Sequence, residues 1–326
     1  MAKMNMIQAI NLALHREMEG DDSVLVMGED VAVNGGVFRA TEGLLEKFGD
    51  KRVIDTPLAE AGIVGTATGM AIGGLKPVTE MQFSGFSYNM FHQLEGNASR
   101  MRARSRGQFT VPLVIRMPFG GGVRALEHHS ESKEVYYAHT PGIKVVIPSR
   151  PANAFALLRA AIQDPDPVIF MEPKRSYRSF KGDVADNPEP MQIGKAEIVQ
   201  GGKDITVISW GAMFHDTQQV VEELQADSDI SIELLDLLTI SPMDAVTIAE
   251  SVKKTGRCVV VQEAHRSFGP ASEIIAHIND RALMYLEAPV KRVTMYDTTV
   301  PLFGRELLYL PSKGHIRKAI QETIDF

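Results

Sequence analysis

Five residues carry side chains that could do chemistry at positions where a parallel sheet would present them: Glu60, Phe83, Phe86, Arg116 and His129. Glu60 is a carboxyl that opens a glycine-rich helix just after a strand, and it could accept, donate or hold a proton. In a first helical turn a carboxylate is also favoured by the helix dipole alone. Phe83 and Phe86 flank the end of the next strand, where an aromatic face could stack on a flat ligand, although Phe is more often core. Arg116 and His129 bracket a third strand end and the loop Gly120-Gly121-Gly122. His129 sits in a polar segment, where an ordinary surface histidine is the competing explanation. None of these residues decides a function by itself.

The elements that must position them alternate strictly. The spacing of apolar residues predicts helices over 6–19, 41–48, 60–74, 88–104, 132–139 and 151–163. Strands are predicted at 24–27, 52–55, 77–83, 112–117, 143–147 and 167–171. Residues 174–202 break the rhythm with Lys, Arg, Asp, Pro and Gly, including Asn187-Pro188-Glu189-Pro190. Alternation then resumes, with strands at 204–209, 230–236, 257–262 and 291–295, and helices at 213–226, 243–254, 270–281 and 312–324. Strand and helix in turn imply right-handed crossovers and mostly parallel sheets covered on both faces. The fold class is α/β with two doubly wound domains, 1–185 and 203–326, joined by a linker at 186–202. Ligands of such sheets lie at the C-terminal ends of the strands. In the helix over 60–74, Gly62, Gly65, Gly69 and Gly73 share one face, which predicts close approach by another helix or a ligand.

Composition excludes several classes. The chain has 326 residues, 44% hydrophobic and 23% charged, the profile of a globular protein. A net charge of -7 argues against a general nucleic-acid binder. Its one cysteine, Cys258, lies in the apolar run Cys258-Val259-Val260-Val261, so neither disulfides nor a cysteine-rich metal site is expected. No apolar run approaches the ~20 residues of a membrane span, and the first residues lack a signal-peptide pattern, so a cytoplasmic location is expected. The dinucleotide and phosphate-loop glycine motifs and the Gly-x-Ser-x-Gly elbow are absent. His128, His129 and Glu131 make a weak metal set, since adjacent side chains point apart.

Taken together, the motifs resemble one family. Gly28-Glu29-Asp30-Val31, Gly35-Gly36-Val37-Phe38-Arg39, Asp55-Thr56-Pro57-Leu58-Ala59-Glu60 and Glu80-Met81-Gln82-Phe83 are similar to segments of the beta subunits of two-subunit, thiamine-diphosphate-dependent 2-oxo acid dehydrogenases. So are Arg116-Met117-Pro118, His129-Ser130, Pro141 to Ser149, Lys254-Thr255-Gly256-Arg257, Glu263-Ala264 and Leu286-Glu287-Ala288-Pro289-Val290. The likeness runs along essentially the whole chain in order. It implies a transketolase-type pyrimidine-binding domain followed by a transketolase C-terminal-type domain, with two alpha and two beta subunits in the assembly.

The resemblance also implies roles. Thiamine diphosphate and Mg2+ would be held mainly by the alpha subunit through a Gly-Asp-Gly motif. This chain has none: its Gly-Asp pairs continue as Gly20-Asp21-Asp22, Gly49-Asp50-Lys51 and Gly182-Asp183-Val184. Glu60, Gln82 and Phe86 would contact the cofactor, with Glu60 hydrogen-bonded to the pyrimidine N1′ so that the cofactor removes its own C2 proton. His129 would position substrate and protonate a lipoyl sulfur during acylation of the lipoyl acyltransferase core. Leu113, Ala161, Ile162, Asp164 and Asp166 fall where some relatives bind potassium, largely through carbonyls. Glu287 and Phe326 match positions that dock the acyltransferase. For substrate, Gly62 to Thr66, Arg116-Met117-Pro118 and Glu172-Pro173-Lys174-Arg175 lean toward branched-chain 2-oxo acids. Phe86 and Phe119 to Val123 lean toward pyruvate, with acetoin third. The different-class alternative is a non-catalytic scaffold that docks an acyltransferase core.

Overall fold

In the computed structural model, residues 1–185 and 188–326 are described. The chain folds as two units, one of residues 1–119 with 136–193 and the other of residues 120–135 with 194–326. The start of the expected linker, 186–187, lies outside the described residues. The rest of 186–202 includes the short strand β9 (Glu197–Gln200). The segment 120–135, expected in the first domain, groups with the second unit.

The first unit is built on parallel strands β2 (Val24–Gly28), β3 (Val53–Asp55), β4 (Lys76–Glu80), β5 (Val114–Phe119), β6 (Lys144–Val146) and β7 (Val168–Pro173). They pair in the order β6-β7-β5-β4-β2-β3. Every residue of β2, β5 and β7 is buried, as expected where helices cover both faces. The helices are α1 (Met6–Gly20), α2 (Leu44–Phe48), α3 (Glu60–Ile72), α4 (Tyr88–Gly96), α5 (Met101–Arg104), α6 (Glu134–Ala138) and α7 (Pro151–Gln163). Asn5 starts α1 with a reciprocal cap, each of Asn5 and Gln8 accepting the other's backbone N–H at 3.0 Å. The α1 face of Ile7, Ile10, Leu14 and Met18 is buried, and its Glu17 meets Arg159 of α7 at 2.7 Å. A two-stranded ribbon pairs β1 (Ala2–Met4) antiparallel with β8 (Gly182–Val184), neither of them anticipated.

Two first-unit elements differ from expectation. The helix expected over 88–104 is broken after Gly96, where Asn97 leaves helical backbone (φ -123°, ψ -68°) and donates its side-chain amide to Gln93 at 2.7 Å. A 3-10 turn and the short α5 follow. The strand expected at 77–83 stops at Glu80, because Ser84 to Phe86 turn into a 3-10 helix.

The second unit holds a five-stranded sheet in the order β14-β13-β10-β11-β9. Strands β10 (Ile205–Ser209), β11 (Ile232–Asp236), β13 (Cys258–His265) and β14 (Lys291–Met295) run parallel, with β9 antiparallel on the edge. The short β12 (Thr239–Ser241) was also not foreseen. Around the sheet lie α8 (Gly211–Asp227), α9 (Ala245–Thr255), α10 (Pro270–Ala282), α11 (Glu306–Tyr309) and α12 (Lys313–Ile324). Its core joins Val207, Phe214, Val221, Leu234, Val259 and Ile320. Helix α9 is capped by Asp244, which accepts from Thr247 N–H at 3.1 Å, and it ends at Gly256 in the left-handed region. Cys258 is fully buried in β13, and burial alone raises its thiol pKa, as expected for an inert thiol. No helix among the described residues is long and apolar enough to cross a membrane.

Candidate active site

The strand register sets the site. Gly28 of β2 pairs with Asp55 of β3 on one side and Glu80 of β4 on the other, so three strand ends lie level. The chain leaving β2 carries Glu29 and Asp30. The chain leaving β3 reaches Glu60, the first residue of α3, and the chain leaving β4 reaches Gln82 and the 3-10 turn ending at Phe86. Asp55 stitches two of them together, accepting the N–H groups of Ala32 at 2.7 Å and Val33 at 3.1 Å. Gln82 donates its amide to Asp30 at 3.2 Å.

Glu60 is 8% exposed, and among the described residues its carboxylate has neither a hydrogen-bond donor nor a cation. With no partner among those residues, the carboxyl is open to a hydrogen bond from a ligand. Glu29 lies within reach of its charge: the Glu29 pKa is raised, first by burial, then by the charges of Glu60 and Asp30. Phe86 is half-buried and meets Phe83 edge-on with ring centres 5.6 Å apart. Phe83 in turn meets Phe38 edge-on at 5.6 Å and carries the Lys174 ammonium 5.5 Å over its ring. A carboxyl without a partner and a partly open aromatic ring suit a flat heteroaromatic ring whose nitrogen shares a proton with the carboxyl, which fits a pyrimidine.

Among the described residues, the glycine face of α3 meets no close backbone approach from another helix. A Cβ at Gly65 would make an ordinary 3.4 Å contact with the Gln93 side chain of α4, and Gly69 faces open space. Gly62 meets only Ala59 of its own turn, and Gly73 only the Met70 and Gly69 carbonyls of its own helix.

Arg116 is not a ligand-facing residue. It is 1% exposed, donating to Glu80 at 2.7 Å and to Glu172 at 2.7 and 3.1 Å across the adjacent strands β4, β5 and β7. Tyr177 completes the cluster by donating its hydroxyl to Glu172 at 2.5 Å. Glu29, Glu80 and Glu172 stand in the motifs quoted above, but none is singled out there as a site residue. The available signal was a carboxyl ending or interrupting an otherwise apolar strand.

In the second unit, His129 ends a 3-10 turn, Glu127–His129, half-buried, with its ring 4.5 Å from that of His128. Among the described residues no group of three or more His, Cys, Asp or Glu is arranged to hold a metal. Glu287 is paired with Arg257 at 2.5 Å and remains largely exposed, as does Phe326. In the first unit, Leu113, Ala161, Ile162, Asp164 and Asp166 gather where α7 ends and β7 begins. The Leu113 carbonyl accepts Val168 N–H at 2.9 Å, and the Ala161 carbonyl accepts Asp164 N–H at 3.3 Å. The Asp164 carboxylate already binds Lys144 at 2.6 and 2.7 Å, and Asp166 binds Arg102 at 2.6 Å.

Residues 2–179 match the family described as transketolase, pyrimidine binding domain, and residues 194–316 match transketolase, C-terminal domain. A solved split gene transketolase, described as an inactive beta4 tetramer, superposes with a TM-score of 0.81 over 99% of both chains at 20% identity, a likeness of fold alone. The fold is thus α/β with two transketolase-type domains. Pyruvate dehydrogenase E1 component subunit beta of Acholeplasma laidlawii is 51% identical over 322 residues, 99% of this chain and 98% of that one. Its namesakes from Bacillus subtilis and Staphylococcus aureus are 49% and 47% identical over 326 residues, the full length of each chain. The chain belongs to the beta subunits of the E1 component of thiamine-diphosphate-dependent 2-oxo acid dehydrogenases, oxidoreductases with a lipoamide acceptor.

The lean toward a branched-chain substrate finds no support in these relatives, which are named for pyruvate. The segments behind that lean are largely scaffold. Gly65 packs against the Gln93 side chain, Arg116 and Glu172 form a buried ion pair, and Lys174 is buried over Phe83.

Proposed function

We propose that this chain is the beta half of a pyruvate dehydrogenase E1 component, which with a separate alpha subunit decarboxylates pyruvate and acylates the lipoyl group of an acyltransferase. The observation that carries it is Glu60, a largely buried side chain without a hydrogen-bond donor among the described residues, on the same strand-end edge of the sheet from which the chain leads to the half-exposed Phe86. When bound, thiamine diphosphate supplies the carbanion chemistry that lets a 2-oxo acid lose CO2. Glu60 holds the pyrimidine N1′ by a hydrogen bond, which the bound ring would strengthen by displacing water from it. Phe86 offers its ring to the pyrimidine, and Gln82, held on Asp30, lines the same edge. His129 holds or donates the proton that a lipoyl sulfur needs as acyl transfer opens the disulfide.

The diphosphate and Mg2+ belong to the alpha subunit, since this chain lacks Gly-Asp-Gly. Potassium would be held by backbone carbonyls among Leu113, Ala161, Ile162, Asp164 and Asp166, because the Asp164 and Asp166 carboxylates already bind Lys144 and Arg102. An increase of Tm on replacing sodium by potassium checks this. Glu287 and Phe326 lie exposed for docking the acyltransferase core.

The test is reconstitution with the alpha subunit, comparing Glu60→Gln with the unaltered chain. We expect decarboxylation to fall about 10²- to 10⁴-fold with Tm unchanged. Full activity of Glu60→Gln would favour the scaffold alternative. For substrate, kcat/KM should be higher for pyruvate than for 3-methyl-2-oxobutanoate, and the reverse order would restore the branched-chain assignment.

A further inference from the structure

The segment 120–132, which carries His129, has little regular structure and is held by two buried carboxylates of its own unit. Glu263, near the end of β13, accepts the Gly121 N–H at 2.7 Å and the Ser132 hydroxyl at 3.2 Å on the same oxygen. Glu306, the first residue of α11, uses both oxygens. One accepts Gly122 N–H at 2.8 Å and the other Arg124 N–H at 2.7 Å. Glu306 is 1% exposed and Glu263 6%. The loop closes on itself where Gly120 N–H meets the Glu131 carbonyl at 3.1 Å, and His129 N–H bonds Leu126 at 3.0 Å.

An ionised carboxylate can only accept, and burying one is costly unless donors meet it. The loop's backbone donors supply that need, so carboxylate and loop fix each other. The fit is tight: a Cβ at Gly120 would come within 2.5 Å of Glu263 Oε1, and one at Gly121 within 3.1 Å of Glu306 Oε1.

The geometry points to Glu263 and Glu306 as positioning residues for His129, which set the loop that carries it and act on lipoyl acylation through it. This rests on the role proposed for His129. In Glu306→Gln one oxygen becomes an amide NH2 facing a backbone N–H, donor against donor. In the reconstituted enzyme we expect Glu306→Gln to lose about 10- to 100-fold in lipoyl acylation. Decarboxylation to an artificial electron acceptor should lose less. Combined with His129→Ala, Glu306→Gln should add no further loss, because both act on one group.

A His129→Ala loss equal in the two assays would end the role of His129, and this inference with it. A selective His129→Ala loss, with Glu306→Gln either harmless, equally damaging to both assays or additive, would overturn the positioning role alone. Should the variant fail to fold, amide hydrogen exchange on the unaltered complex decides. Slow exchange at Gly121, Gly122 and Arg124 supports the clamp, and exchange at free-loop rates overturns it.

Discussion

Arg116 grips Glu172 with two parallel hydrogen bonds, Nε to Oε1 at 2.7 Å and Nη2 to Oε2 at 3.1 Å, where neither side chain is more than 1% exposed. The same guanidinium also serves Glu80, so one buried cation answers two carboxylates. Burial raises the Glu80 pKa, Arg116 opposes the rise and Glu172 adds to it. Arg116→Met would strand two buried negative charges, and we expect it to lower unfolding free energy by about 3–5 kcal/mol at neutral pH. Glu80→Gln removes the surplus charge and should cost far less. Denaturant unfolding of both variants checks this, and equal costs would contradict the charge count.

Glu29 and Glu60 are coupled through space, and the coupling has a sign. Part of the raised Glu29 pKa comes from the negative charge of Glu60, after the larger share due to burial. A neutral amide at position 60 removes that share and keeps the other. We therefore expect the Glu29 pKa to fall in Glu60→Gln without reaching its ordinary value. Carbon-detected NMR titration reads this without any enzyme assay. An unchanged Glu29 would mean that the two carboxyls do not feel each other.

For His129→Ala, we expect lipoyl acylation to suffer more than decarboxylation to an artificial acceptor, by about 10²-fold or more. The two assays share every step up to CO2 release, so their ratio isolates transfer to the lipoyl group. Equal losses would remove the histidine from that step.

The parallel, doubly wound plan was legible because buried strands read as unbroken apolar runs, such as Val24-Leu25-Val26-Met27, between helices of clear period. The ribbon of β1 and β8 was not, since Lys3 and Asp183 alternate weakly and their pairing spans most of the first unit. Glu60 was legible as a candidate from its place after a strand at the head of a helix, and the structure does put it there. Its isolation from any donor was not, because that depends on which long-range neighbours fail to arrive. Arg116 was misplaced for the same reason. Nothing local says that Glu80 and Glu172 come level with it on adjacent strands.

Glu134 ties stability to pH. It is fully buried, and its two oxygens have no well-aligned hydrogen bond. Burial pushes its pKa up to about 7, its own backbone opposes this, the charge of Glu263 adds to it and Trp210 offsets it in part. With the folded value above the ordinary 4.5, the folded state holds a proton that the unfolded chain has released between these two pH values. Stability from this group is thus present below about pH 4.5 and lost as pH rises toward 7, by roughly 3 kcal/mol in all. Glu134→Gln should flatten that slope and raise Tm at pH 8, with little change at pH 5. Thermal unfolding across this range is the check, and parallel curves for the two proteins would refute it.

Gly142 separates backbone strain from steric overlap. Its φ is +87°, and a Cβ there would lie 2.2 Å from the Ser99 carbonyl oxygen. Gly43 has a similar φ of +80° in the left-handed region, and a Cβ there would meet only His15 at an ordinary 3.8 Å. Alanine at Gly43 should cost only the left-handed penalty, about 1–2 kcal/mol. Alanine at Gly142 adds to its positive-φ strain an overlap with a backbone atom that cannot swing away, so we expect about 2–4 kcal/mol. Denaturant midpoints of the two variants, measured side by side, give the difference directly. A Gly142→Ala no worse than Gly43→Ala would mean that the Pro141-Gly142 turn can shift away from Ser99. In that case the glycine would be needed for its φ alone.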